Sequence, residues 1–361
     1  MPIEDKIKLL PNMKLGNNKI EKKVGSGGMG SVYCAYNETL KSKVAIKILH
    51  NSSKEELQNF FKEAKAIAKL EHPNIMKIYD IEYSPELEQH YIITQLIVGK
   101  TLDSFLDEKN RLDHVEILKI ITEATRGLSY AHQKGIIHRD IKPENIMRDK
   151  DNNIKLMDFG LACAVDRETQ DRAKIMGTPH YMAPEQCRGE KVDARTDIYA
   201  LGGTFYHLIA GHPPFHGDFN IIALLHKQIN ENPKPLEQVA PNISSKIAKT
   251  IKKMMEKNPH DRFQNCEELY DHLINLQNDF VTIKCPRCGK QNTKDQIFDC
   301  PRCGTQSLCL THLLPKKQYC DYCEEMVTEA EEKSLLFDAN QWLDNLSAIS
   351  HSKEGGVWYI Q

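Results

Sequence analysis

Apolar and polar residues alternate near the start of the chain in the manner of β-strands, then give way to longer stretches whose apolar positions recur with helical spacing. Val24 and Val32 flank the glycine-rich run Gly25-Ser26-Gly27-Gly28-Met29-Gly30, a pattern of two strands meeting at a tight turn. Val44-Ala45-Ile46-Lys47 reads as a further apolar strand that ends on a cation. Leu57, Phe60, Phe61, Ala64, Ile67 and Ala68 then recur with a helical period, and Glu63 lies at the edge of that stripe. No self-similarity with a period of about 20 to 50 residues interrupts this order. Up to about residue 278 the pattern describes one mixed α and β domain. From residue 325 the tail is acidic, and Leu335, Ala339, Trp342, Leu346 and Ile349 then share one face at about 100° per residue. That spacing predicts an amphipathic helix within 325–361.

Composition narrows the class. A chain of 361 residues suits about two domains. Apolar residues at 40%, charged residues at 27% and a mean hydropathy of −0.52 exclude a mostly disordered or collagenous chain. The net charge is −2, from 48 Lys and Arg against 50 Asp and Glu, so no general basic field draws the chain onto nucleic acid or anionic lipid. No stretch approaches the roughly 18 consecutive apolar residues of a membrane helix. The opening MPIEDKIKLL carries acids where a signal peptide needs a basic and then an apolar run. The expectation is a cytoplasmic protein without a membrane anchor, and nucleic acid is not an expected partner.

Cysteine use divides the chain. Of 11 cysteines, seven fall between residues 285 and 323. Cys285-Pro-Arg-Cys288-Gly and Cys300-Pro-Arg-Cys303-Gly repeat one knuckle, in which a turn presents two thiolates and glycine lets backbone amides approach the sulfurs. Cys309-Leu-Thr-His312 and Cys320-Asp-Tyr-Cys323 add two further pairs, so these eight ligands can close two tetrahedral zinc sites. Whether consecutive pairs share an ion, as in double zinc ribbons, or interleave as in cross-braced modules stays open. A redox-active CxxC is the competing reading. Lys284, Arg287, Lys290, Arg302, Lys316 and Lys317 make the module locally basic, which offsets thiolate charge at the metal more simply than it recruits nucleic acid. The zinc module is expected over 284–324.

The first segment carries the chemistry of phosphate. Glycines at 25, 27, 28 and 30 let backbone amides fold closely over phosphate oxygens. Lys47 supplies a cation for phosphate charge, and Glu63 is the carboxylate partner that a buried-facing ammonium needs. His138-Arg139-Asp140-Ile141-Lys142-Pro143-Glu144-Asn145 packs an acid, cations and an amide into one short run, and Asp158-Phe159-Gly160 follows. Magnesium is hard and takes one or two carboxylates plus substrate phosphates, so Asp158 with Asn145 is a sensible pair of oxygen ligands. Asp140 is left to accept a hydroxyl proton.

At these residues the sequence resembles the eukaryotic-like protein kinases, with the Gly-rich loop, VAIK, HRDIKPEN, DFG and Ala183-Pro184-Glu185 in the family's order over about residues 19–278. GSGGMGSVY and YMAPEQ are similar to bacterial members. The resemblance implies an α+β, bilobal kinase fold with a β-rich N-lobe, a helical C-lobe and ATP between them. It implies that Gly25, Gly27, Gly28 and Gly30 cover the phosphates, that Val32 and Ala45 border the nucleotide, and that Lys47 holds the α- and β-phosphates, oriented by Glu63. Asn145 and Asp158 would hold magnesium, and Asp140 would orient or deprotonate the attacking hydroxyl. Lys142 matches serine/threonine-directed members, and Thr94 falls at the gatekeeper position behind the adenine pocket.

Gly177-Thr178-Pro179-His180-Tyr181-Met182 resembles the substrate-docking turn, with Thr178 near the catalytic Asp. Asp197 and Arg262, the latter paired with Glu185, fall where the family keeps structural anchors. Arg139 beside the catalytic Asp resembles kinases whose activation segment is ordered by a phosphate, which makes Thr169 the candidate autophosphorylation site. Cys163 reads as a small packed residue. The implied activity is transfer of the γ-phosphoryl group of ATP to Ser or Thr of protein substrates, with the zinc module and the terminal helix recruiting a protein partner. The alternatives are a pseudokinase scaffold, against which Lys47, Asp140 and Asp158 all stand in place, and a nucleic-acid-reading zinc protein regulated by its kinase domain.

Overall fold

A computed structural model describes residues 9–27, 30–49, 64–107, 112–159, 179–217 and 220–280, and then 283–284, 286–288, 291–292, 297–298, 305–306, 308–310, 313–314 and 319–321. The chain divides into two compact units, Met1–Gln277 and Asn278–Gln361.

In the first unit β1 (Lys14–Leu15), β2 (Asn18–Gly27), β3 (Gly30–Asn37), β4 (Ser42–Leu49), β5 (Ile78–Ser84) and β6 (Gln89–Gln95) form an antiparallel sheet in the order β1-β2-β3-β4-β6-β5. Successive side chains of a strand point to opposite faces, and this alternation sorts the sheet's chemistry. Tyr33, Ala35, Val44, Ile46, Ile48, Tyr91 and Ile93 join Leu9, Leu15 and Ile20 in one buried cluster. Their neighbours Val32, Cys34, Ala45, Lys47, Ile92 and Thr94 line a cavity instead. The sheet starts ahead of residue 19, where the resemblance begins. Leu9 is buried, and its N–H donates to the Tyr33 hydroxyl at 3.3 Å. Gly27 pairs with Gly30 at the tip of the β2–β3 hairpin, and Gly30 has a φ of +147°, a region that favours glycine.

Residues 64–67 are helical, with Ala64 and Ile67 buried, as the period of their stripe predicts. A second sheet of β7 (Gly99–Thr101), β8 (Ile146–Asp149) and β9 (Ile154–Leu156) follows. Gly99 is required there, because a Cβ would lie 2.2 Å from the Arg148 carbonyl oxygen.

The remaining described helices of this unit are α1 (Leu102–Asp107), α2 (His114–Gln133), α3 (Pro184–Arg188), α4 (Ala194–Ala210), α5 (Ile221–Asn230), α6 (Leu236–Val239), α7 (Ser245–Met254) and α8 (Cys266–Phe280). Asp113 caps α2 by accepting from the Glu116 N–H at 2.8 Å. The helix then buries Ile117, Ile120, Ile121, Ala124, Leu128 and Ala131, at the three- and four-residue spacing of one helical face. Helix α4 is buried almost all round, as a central core helix should be, and stops where Gly211 turns left-handed at φ +78°.

In the second unit the described strands form three short antiparallel hairpins. β10 (Ile283–Lys284) pairs with β11 (Gln291–Asn292), β12 (Ile297–Phe298) with β13 (Leu308–Cys309), and β14 (Leu313–Leu314) with β15 (Tyr319–Cys320). The helix expected around residues 335–349 lies outside the described residues.

Candidate active site

The cavity beneath the sheet has a volume of about 610 Å³, within the range of small-molecule sites. Val24, Val32, Ala45, Ile92 and Leu156 give it apolar walls, Thr94 sits buried in its lining, and Lys47 and Asp158 put opposite charges at its edge. Strand β4 places Lys47 two residues beyond Ala45 on the cavity face. Its Nζ meets the Asp158 Oδ1 at 2.8 Å. Gly25 also lines the cavity, its φ is ordinary, and a Cβ there would meet nothing within 4 Å. Packing therefore does not demand a glycine at 25, which lies at an irregularity in the β2–β3 pairing.

The run from His138 to Asn145 bolts a second acid beside the first. The Lys142 Nζ lies 2.9 Å from the Asp140 Oδ2. The Asn145 Nδ2 donates to the Asp140 carbonyl oxygen at 2.7 Å and to its Oδ2 at 3.0 Å. With its amide nitrogen so used, Asn145 has its amide oxygen left for a hard cation.

Met157 links the two acids. Its N–H donates to the Asn145 carbonyl oxygen at 2.9 Å, and its carbonyl oxygen lies 2.8 Å from the His138 Nε2. Burial pushes the His138 imidazole pKa down, so the ring is neutral near pH 7. A carbonyl only accepts, which assigns the ring proton to Nε2 and leaves Nδ1 to accept from the Asp140 N–H at 3.4 Å. His138 thus steadies Asp140 and the residue before Asp158 together, and it packs on Phe159 with ring centres 4.4 Å apart. Arg139 and Asp158 have φ values of +66° and +53°. Such left-handed conformations cost non-glycine residues about 1 kcal/mol or more and persist where surrounding bonds over-determine them.

Below this loop Asp197 collects the backbone N–H groups of His138 and Arg139 at 2.8 and 2.7 Å, and the His132 Nε2 at 2.7 Å. Glu185 and Arg262 form a buried two-bonded pair, with both contacts at 2.8 Å. Burial alone would raise the Glu185 pKa, but Arg262 and the Thr196 hydroxyl outweigh it and hold the carboxyl below the usual carboxylate range. The Gln186 side chain accepts from the Ala183 N–H at 3.1 Å and donates to the Arg139 carbonyl oxygen at 3.0 Å, so the start of α3 and the acid-bearing loop share a brace.

Sequence reasoning singles out Lys47, Asp140, Lys142, Asn145, Asp158, Asp197, Glu185 and Arg262, and these fall into the contacts above. It passed over His132, Gln228 and Lys257, which no contiguous motif marks, and assigned no role to Tyr199 or to Gln186, the last residue of YMAPEQ. Gly28, Glu63, Gly160, Cys163, Thr169 and Thr178 lie outside the described residues, and for Gly27 only the backbone is described. Among the candidate zinc ligands the side chains of Cys288, exposed, and Cys320, buried, are described. Cys285, Cys300, Cys303, His312, Cys323 and the side chain of Cys309 are outside. Among the described residues no group of three or more His, Cys, Asp or Glu gathers to hold a metal ion, as expected when only two of the eight candidates are included. Arg287 and Asp321, which neighbour Cys288 and Cys320, form an ion pair. No described helix is long and apolar enough to cross a membrane.

Residues 18–274 match the family model of the protein kinase domain. The chain is 37% identical over 267 residues to a probable serine/threonine-protein kinase of Clostridium acetobutylicum, a match covering 73% of this chain and 40% of that protein. It is 35% identical over 261 residues to the serine/threonine-protein kinase PknB of Mycolicibacterium smegmatis, covering 70% of this chain and 42% of the relative. The chain thus spans about two fifths of the length of these curated relatives. Among solved structures it is similar to the PknI kinase domain of Mycobacterium tuberculosis, with a TM-score of 0.61, 27% identity, and coverage of 75% of this chain and 100% of that one.

Proposed function

The chain belongs to the protein kinase family, with a sheet-rich N-lobe and a helical C-lobe, and from that premise we propose that it transfers the γ-phosphoryl group of ATP to serine and threonine hydroxyls of protein substrates. The observation that carries this reading is the linkage of two charge pairs through Met157: Lys47, Met157 and Asp158 line the cavity, and the Met157 backbone bonds to Asn145 and His138 of the loop that holds Asp140 against Lys142. A loose phosphoryl transition state asks for positioning and charge stabilisation more than for covalent help. Lys47 binds the α- and β-phosphates, and the glycines from 25 to 30 cover them. Asp158 and Asn145 would hold magnesium, which would supply positive charge to offset that of the transferring group. Asp140, steadied by Asn145 and Lys142, accepts the hydroxyl proton of the acceptor. Lys142 and the serine/threonine kinases among the relatives support Ser and Thr as the acceptors.

The decisive experiment incubates the chain with labelled ATP, magnesium and an acceptor protein and maps the labelled residues. The reading expects phosphoserine and phosphothreonine on the acceptor, with Thr169 as the autophosphorylation site. Absence of transfer would overturn it.

The same reading gives residues 284–324 a structural role around two zinc ions, as a module that recruits a protein partner or substrate. Two-residue strands bury little and are marginal on their own, so hairpins this short need another source of stability, which closed zinc sites provide. The Arg287–Asp321 pair ties the first cysteine pair to the fourth and favours a shared ion for Cys285, Cys288, Cys320 and Cys323. Cys300, Cys303, Cys309 and His312 are then left for the other. Metal analysis of the full chain should find about two zinc ions. Cys288→Ser and Cys320→Ser should each remove the same one, and the double variant no more. A zinc-free, folded chain would refute the module, and loss of different ions would refute the pairing.

A further inference from the structure

Gln228, on α5, is fully buried, and burying a primary amide is costly unless its donors and acceptor are satisfied. Its Nε2 donates to two successive carbonyl oxygens of the docking turn, Pro179 at 3.1 Å and His180 at 2.6 Å. Its Oε1 accepts from the Tyr199 hydroxyl at 2.7 Å. The Lys257 Nζ lies behind them, donating to the Tyr199 hydroxyl at 2.9 Å and to the Gln228 carbonyl oxygen at 2.8 Å. The Phe215 and Tyr199 rings flank this ammonium at 4.9 and 5.4 Å.

The chain of bonds has a direction. An ammonium only donates, so the Tyr199 hydroxyl accepts from Lys257 and sends its own proton to Gln228. The amide oxygen must then face Tyr199, and both amide hydrogens are turned onto the docking turn. Two consecutive carbonyls held by one rigid amide fix the peptide planes of residues 179–181. Helix α3, which follows the turn, is held separately, where Gln186 and Glu185 grip Arg139 and Arg262.

We propose that Gln228 is a positioning residue for acceptor binding: with Tyr199 and Lys257 it sets the conformation of the turn on which the acceptor peptide lies, and it takes no part in nucleotide binding. This rests on the kinase reading above. The amide meets two carbonyls of the turn and the Tyr199 hydroxyl, none of them in the cavity lining, so its effect falls on acceptor affinity and not on the charged groups at the cavity.

The test measures steady-state transfer from magnesium ATP to myelin basic protein by the full chain, with Gln228→Met, which keeps the side-chain length but cannot donate to the two carbonyls. The acceptor KM should rise about tenfold, the scale set by unsatisfied buried carbonyls, with the ATP KM and kcat within about twofold. Tyr199→Phe, which frees the amide to flip, should move the acceptor KM in the same direction by less, and it serves as the second arm if Gln228→Met melts early. An unchanged acceptor KM in both variants, or a rise in the ATP KM instead, would overturn the inference while leaving the kinase reading intact. A wild-type chain that transfers nothing would overturn both.

Discussion

Lys47–Asp158 and Arg262–Glu185 are both ion pairs with 2.8 Å contacts in the first unit, yet their surroundings differ in every other respect. The cleft pair keeps 14% and 25% of its side chains exposed at a cavity, whereas the anchor pair keeps 0% and 5%. Arg262 uses all five of its N–H groups, on the two Glu185 oxygens and on the carbonyl oxygens of Arg195, Glu256 and Lys257, and its guanidinium lies over the Tyr199 ring. A saturated, dry pair has nothing left with which to bind a ligand, so its value lies in holding the end of the docking turn on the core. The cleft pair instead lines a cavity, and on the proposed reading it is the pair that would meet phosphate and metal. The contrast teaches that access to a cavity, more than charge or distance, separates a pair that holds from a pair that acts.

The comparison breaks most visibly at the cleft. Lys47→Met should reduce transfer by at least about 100-fold, the scale of losing one preorganised charge, while thermal unfolding stays near that of wild type. Activity assay and melting curve on the same preparation check it. At the anchor the reverse is expected. Arg262→Met strands a buried carboxylate and should cost about 3 to 5 kcal/mol of stability, read as a lower midpoint in denaturant.

A smaller effect sharpens the anchor's assignment. The folded carboxyl of Glu185 titrates below its unfolded value of about 4.3, so its ionised form contributes stability above that pH and loses the contribution as pH falls through the folded value. The stability gap between wild type and Glu185→Gln should therefore be widest above about pH 5 and narrow on acidification. A gap that widened in acid would contradict the sign.

Local chemistry was legible in the chain and distant pairing was not. His138 to Asn145 lie within one short run, so their loop was visible as a unit, whereas Val44-Ala45-Ile46-Lys47 read only as an apolar strand ending on a cation, and its division into a core face and a cavity face came with the structure. The Lys47–Asp158 contact spans 111 positions, and the Glu185–Arg262 contact 77. Spacing alone does not reveal such contacts, and the second was anticipated only through the family resemblance. Gln228, Lys257 and His132 gave no signal, because a glutamine, lysine or histidine in a helix reads as a solvated side chain until tertiary packing buries it. The cysteine pairs were legible from spacing as candidate zinc knuckles, while the strand pairings beside them and the Arg287–Asp321 ion pair needed coordinates.

The most direct test of the contrast is Asp158→Asn, which keeps the shape of the side chain and removes its charge. Transfer rate and unfolding midpoint are measured together, in the full chain, with magnesium ATP. The rate should fall by about 100-fold or more with the midpoint within about 1 kcal/mol of wild type. Retained transfer, or a loss of stability as large as that of Arg262→Met, would contradict the division between the pair that acts and the pair that holds.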